Sequence, residues 1–85
     1  MEIFTHPRFD RKYKKLPQEI KKQAKHKETF FRENAFDSLL HTHKLHGKDR
    51  GLWAFWINNK YRIKFIFLDT QQVLFLDVGT HDIYS

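Results

Sequence analysis

Leu52-Trp53-Ala54-Phe55-Trp56-Ile57, Tyr61-Arg62-Ile63-Lys64-Phe65-Ile66-Phe67-Leu68 and Gln72-Val73-Leu74-Phe75-Leu76-Asp77-Val78 are three short apolar runs in the second half of the chain. Asn58-Asn59-Lys60 separates the first two, and Asp69-Thr70-Gln71-Gln72 leads into the third. β-Branched and aromatic residues in short runs punctuated by turn residues predict an antiparallel meander. Alternation along the middle run assigns Tyr61, Ile63, Phe65 and Phe67 to one face and Arg62 and Lys64 to the other, with Ile66 and Leu68 further along. In the last run it assigns Leu74, Leu76 and Val78 to one face and Phe75, Asp77, Gly79 and His81 to the opposite one. One face of the meander is then wholly apolar. The other is mixed, with cations, a carboxylate and an imidazole near strand ends, and it is the candidate site.

Upstream, Met1 to His6 reads as a short strand that Pro7 stops. Proline also suits the first position of a helix, where its missing N–H is not needed. Phe9, Tyr13 and Leu16 then recur at the spacing of one helical stripe over Pro7–Leu16. Pro17 breaks that helix and opens a second, expected over Pro17–Glu33, with Glu19 favourable to its dipole. Ile20, Ala24, Phe30 and Phe31 line its apolar side. Basic residues cover the rest of both helices, so the pair must lay its stripe on the apolar face of the sheet. Residues 34–51 show no period; Phe36, Leu39, Leu40 and Leu45 are expected to pin a long loop onto the core. The fold class is α+β in the order βααβββ, with two N-terminal helices on one face of a mostly antiparallel sheet and the other face open.

At 85 residues the chain is expected to form a single domain spanning 1–85. A domain this size buries about 60–65% of its unfolded surface, leaving room for one core. Without cysteine, neither disulfides nor thiolate metal sites can support it. No apolar run is long enough for a membrane helix and no secretory leader is evident, so a cytoplasmic location is expected. The net charge of +6 favours a polyanionic partner, with nucleic acid foremost.

Four segments carry a family resemblance: Thr42-His43-Lys44-Leu45-His46-Gly47, Trp53-Ala54-Phe55, Lys60-Tyr61-Arg62-Ile63 and Asp77-Val78-Gly79-Thr80-His81-Asp82. In this order, and with the βααβββ arrangement, the chain resembles the RelE/ParE superfamily of toxins from bacterial toxin–antitoxin pairs. The resemblance implies a RelE-like microbial RNase-type fold and a cognate antitoxin as partner. It also implies one of two activities. The RelE-like branch consists of ribosome-dependent mRNA endoribonucleases; the ParE-like branch inhibits DNA gyrase without enzymatic chemistry. The Gly-Thr-His ending resembles the nuclease branch, in which a histidine here takes part in catalysis, and Arg62 matches the arginine that contacts the scissile phosphate. The run Leu52–Ile57 departs from the pattern in having no ionisable residue.

Metal-independent RNA cleavage needs a base for the 2′-hydroxyl, an acid for the departing 5′-oxygen, and cations around the phosphorane. Histidine serves the first two roles near neutrality, and arginine the third through a fork that matches two phosphate oxygens. On this reading His81 is the general acid or base, Arg62 clamps the phosphate, and Tyr84 completes the catalytic set. Lys64, Lys44, His46 and Lys48 would hold the RNA backbone, and Trp56 or Tyr84 would stack a splayed base. Each has a plainer alternative: His81 as a strand-end cap, Arg62 and Lys64 as solubilising cations, Trp56 as packing. Asp77 and Asp82 either orient His81 or simply face solvent. Loop histidines 41, 43 and 46 lack a carboxylate or thiol beside them, so no metal is expected, and no cofactor. Ribosome and mRNA are the expected partners of the nuclease, gyrase that of the alternative inhibitor. A degenerate toxin fold acting as a basic binding module is the third reading.

Overall fold

In the computed structural model, which describes residues 1–84 with every side chain but that of Tyr84, β1 (Glu2–Thr5) leads into α1 (Pro7–Lys14) and α2 (Gln18–Glu33). After them come β2 (His43–Lys44), β3 (Trp53–Trp56), β4 (Arg62–Phe67) and β5 (Gln72–Gly79). Short 3-10 turns occupy Ser38–Leu40, Gly47–Asp49 and His81–Tyr84.

The helix boundaries follow from local chemistry. His6 caps α1 through Nδ1, which accepts the Arg8 N–H at 3.0 Å, and Pro7 takes the first turn. Lys15 closes the helix by donating its N–H to the Lys12 carbonyl, and the Leu16 N–H donates to that of Tyr13. The residue before a proline avoids helical geometry, so α1 stops short of Pro17. Pro17 itself is extended, with ψ 147°, and serves as the N-cap of α2 where the sequence had it inside the helix.

The five strands are ordered β1-β5-β4-β3-β2. β1 runs parallel to β5 and every other neighbour is antiparallel, so the sheet is mixed. Both helices lie on the apolar face, as expected. Phe31 of α2 sits at the centre, stacked on Phe55 at 4.8 Å and edge-on to Phe65 and Phe75. Phe9 of α1 reaches Phe75 at 5.4 Å. The segment 34–51, read as a loop, contributes the two-residue strand β2 and two of the 3-10 turns.

Two expectations are corrected. The pairing of β4 with β5 steps from Lys64↔Asp77 to Phe65↔Phe75, so Leu76 is an extra, bulged residue. The bulge resets the alternation: Val73, Phe75 and Val78 share the helix-covered face with Ile63 and Phe65, whereas strict alternation had set Val78 opposite Phe75. Asp77 and Gly79 remain with Lys64 and Arg62. Nor is this second face open. Ala54 is fully buried, the Lys64 side chain is only 12% exposed and Asp77 only 6%. The turns Gly47–Asp49 and His81–Tyr84 fold over it, and Lys12 closes on Asp77.

Candidate active site on the second face of the sheet

Strand register lines up the side chains of this face in two rows. His43, Ala54, Lys64 and Asp77 form one; Trp56, Arg62 and Gly79 form the next. The chain leaves β5 at Gly79, directly across from Arg62, and His81 follows two residues later as an exposed residue opening the last turn. Arg62 and His81 therefore stand at the same end of the sheet. The reason is sequential: Gly79 is the last paired residue, and the terminal turn starts immediately after it.

The Arg62 guanidinium lies 4.1 Å from the centre of the Trp56 ring. Its Nη1 donates to the Asn58 carbonyl at 2.8 Å and, more weakly, to that of Tyr61 at 3.4 Å. Nε and Nη2 make no hydrogen bond to the described residues, so half of the fork stays available to an anion. Asn58 also shapes the turn before Arg62, its Oδ1 accepting the N–H groups of Lys60 and Tyr61.

On Trp56 the His41 ring also stacks, 4.0 Å away and tilted by 26°. Two planar groups this close to one ring centre must take opposite faces, so neither face of Trp56 is bare. This corrects the expectation that Trp56 offers a free platform to a base. His41 reaches it from a left-handed backbone, φ 51°, and its carbonyl lies 2.8 Å from Nδ1 of His43.

Lys64 is held by two internal partners: Nζ donates to Asp49 Oδ2 at 3.2 Å and to the Ile83 carbonyl at 2.9 Å. Its charge is engaged within the fold, contrary to the expectation that it meets substrate directly. Lys44 pairs with Trp53 across the sheet and so faces the other side, its ammonium 5.5 Å from the Trp53 ring. His46 and Lys48 are exposed around the Gly47–Asp49 turn, beside the carboxylate that holds Lys64. The role expected of Tyr84 falls on a side chain outside those described.

Neither acid is a bystander. Asp77 pairs with Lys12 Nζ at 2.6 Å and accepts the Val78 N–H at 2.9 Å. Asp82 accepts the Thr80 hydroxyl at 2.7 Å. That bond holds its carboxyl below the usual aspartate range, and the charges of Lys12 and His81 push the same way. Among the described residues no three His, Cys, Asp or Glu side chains gather to hold a metal.

Sequence reasoning did not mark His41, Asn58, Asp49 or Lys12 for this site. Asn58 had a legible signal in its turn tripeptide. The others arrive through tertiary register that no local pattern announces.

No protein-family model matches the sequence, and no curated protein matches it. Solved structures do. A YoeB/ParE toxin from Agrobacterium tumefaciens aligns with a TM-score of 0.78 and 14% identity over 95% of this chain and 99% of its own. The YoeB dimer from Staphylococcus aureus gives 0.77 and 18% over 95% and 97%. The E. coli DinJ–YafQ toxin–antitoxin complex gives 0.73 and 20% over 96% and 93%. The chain thus has the RelE/ParE-type toxin fold, over nearly its whole length.

Proposed function

We propose that this protein is the toxin of a toxin–antitoxin pair and that it cuts mRNA held on the ribosome. The observation that carries the reading is the pairing of Arg62 with Gly79, which brings a half-unused guanidinium and the exposed imidazole of His81 to one end of the sheet. The fold, shared with toxins of known structure, supports the wider role.

In the proposed reaction the 2′-oxygen attacks the adjacent phosphorus, losing its proton to a base. Arg62 Nε and Nη2 neutralise the charge that builds on the non-bridging oxygens, and the 5′-oxygen leaves as it takes up a proton. His81 supplies one of the two proton transfers. A domain with one small core cannot enclose a single strand, so the ribosome provides the positioning that the protein lacks. The cations of α1 and α2 suit an acidic antitoxin segment.

A second reading is a non-enzymatic inhibitor of a target such as gyrase. It is favoured by β3, which adds only Ala54 and Trp56 to this face, and by Lys64, whose charge is already paired. One experiment separates the two. Purified protein is added to translation of a reporter mRNA and 5′ ends are mapped by primer extension, with gyrase supercoiling assayed in parallel. The nuclease gives position-specific cuts that fall by about 10²–10⁴-fold in His81→Ala, and that Arg62→Ala also suppresses. An intact message with arrested supercoiling gives the inhibitor instead.

A further inference from the structure

Lys64 is a strand residue with its side chain only 12% exposed, on a chain whose other cations are mostly at the surface. Burying an ammonium is unfavourable unless its hydrogens are matched. Here two are matched by groups that belong to neither its strand nor a neighbouring one. Asp49 comes from the turn Gly47–Asp49, and the Ile83 carbonyl from the turn His81–Tyr84. We infer that Lys64 is a positioning residue: with Asp49 it fastens the turn that carries His81 to the sheet, and so fixes the imidazole relative to Arg62.

The turn needs such an external hold. It is four residues long, and its internal bonds, among them the Ile83 N–H to the Thr80 carbonyl and the Thr80 hydroxyl to Asp82, are all local. A single turn of this kind is not stable alone. Two of its contacts tie it to the sheet. The Ile83 side chain is 6% exposed and packs on Gly79, where an added Cβ would stand 2.7 Å from its Cγ2. The Lys64 ammonium secures the Ile83 backbone. Packing sets the depth of the turn; a directional bond sets its rotation, and rotation decides where a side chain two residues earlier points. The same ammonium holds the turn that follows His46 and contains Lys48, so both segments are referred to one group.

The catalytic consequence rests on the role proposed for His81, whereas the fastening itself does not. Backbone ¹⁵N relaxation therefore tests it in the full chain, in wild type, Lys64→Met and Lys64→Met/Asp49→Asn. Methionine keeps the stem over Ala54 and removes the donors, and the double variant also removes the carboxylate left without a partner. The expected result is a fall in order parameter at Asp82 and Ile83 from about 0.85 to below about 0.6, with the amides of Phe31, Phe65 and Val73 unchanged. In the translation assay the saturating cleavage rate falls at least tenfold while the half-saturating ribosome concentration stays put. Order parameters at residues 82 and 83 that remain at the wild-type level in the folded double variant overturn the inference. If the single variant unfolds, the double variant decides. A wild type that cuts nothing refutes the nuclease reading and leaves the relaxation result to stand on its own.

Discussion

Asp82 shows how one short contact sets a charge. Its carboxylate accepts the Thr80 hydroxyl and lies near Lys12 and His81, and the charged form is favoured in the folded chain. A carboxyl with a depressed folded value contributes stability that is present above the ordinary aspartate range, near 3.9, and is lost as pH falls through the depressed value. The effect is local, because the group is at the surface. Following the Ile83 amide by NMR from pH 7 down to 2 should show the terminal turn loosening only below the ordinary aspartate range. Asp82→Asn should remove that acid step and leave the shifts of the sheet residues unaltered. Arg62 makes the complementary point: its stack on Trp56 contributes about 0.5–2 kcal/mol of cation–π attraction and orients a fork that keeps two nitrogens for other use.

At the scale of elements, the terminal turn depends on the one strand position that has no side chain. Gly79→Ala places a methyl 2.7 Å from Ile83 Cγ2, so the turn must lift. Overpacking of this kind costs typically about 1–3 kcal/mol. Urea unfolding should register that loss, and the Ile83 and Asp82 amides should shift further than any in the helices. The helices, the three long strands and the face they share were legible in the sequence because each rests on local periodicity or a proline. Phe9 and Tyr13 sit one turn apart, Pro17 blocks helical continuation, and Ile63, Phe65 and Phe67 alternate. What was not legible depends on partners distant in sequence. β2 exists only because His43 and Lys44 find Ala54 and Trp53. The bulge at Leu76 looks like any other leucine in a strand. Alternation placed Lys64 on the correct face but said nothing of what covers that face, so a paired cation read as a free one.

The described residues share one core, and Phe31 is its hub. It is fully buried and touches aromatic rings from three strands. Phe31→Ala is expected to cost about 3–5 kcal/mol, a large part of the roughly 5–15 kcal/mol typical of a folded protein. Chemical denaturation should show it as a midpoint shift with an unchanged slope, and partial unfolding at 37 °C should follow. The surface carries the remaining design. Arg8, Arg11, Lys14, Lys15, Lys22 and Lys25 are all exposed along the two helices, a cationic field over the helix layer. The pairing of β1 has a further bearing on how the chain folds. Among the described strands β1 pairs only with β5, which lies farthest from it in the sequence. Glu2 therefore has no strand to pair with until Gln72, far along the chain, is in place. Closing that edge of the sheet thus waits on a contact of high sequence separation, the kind that slows folding.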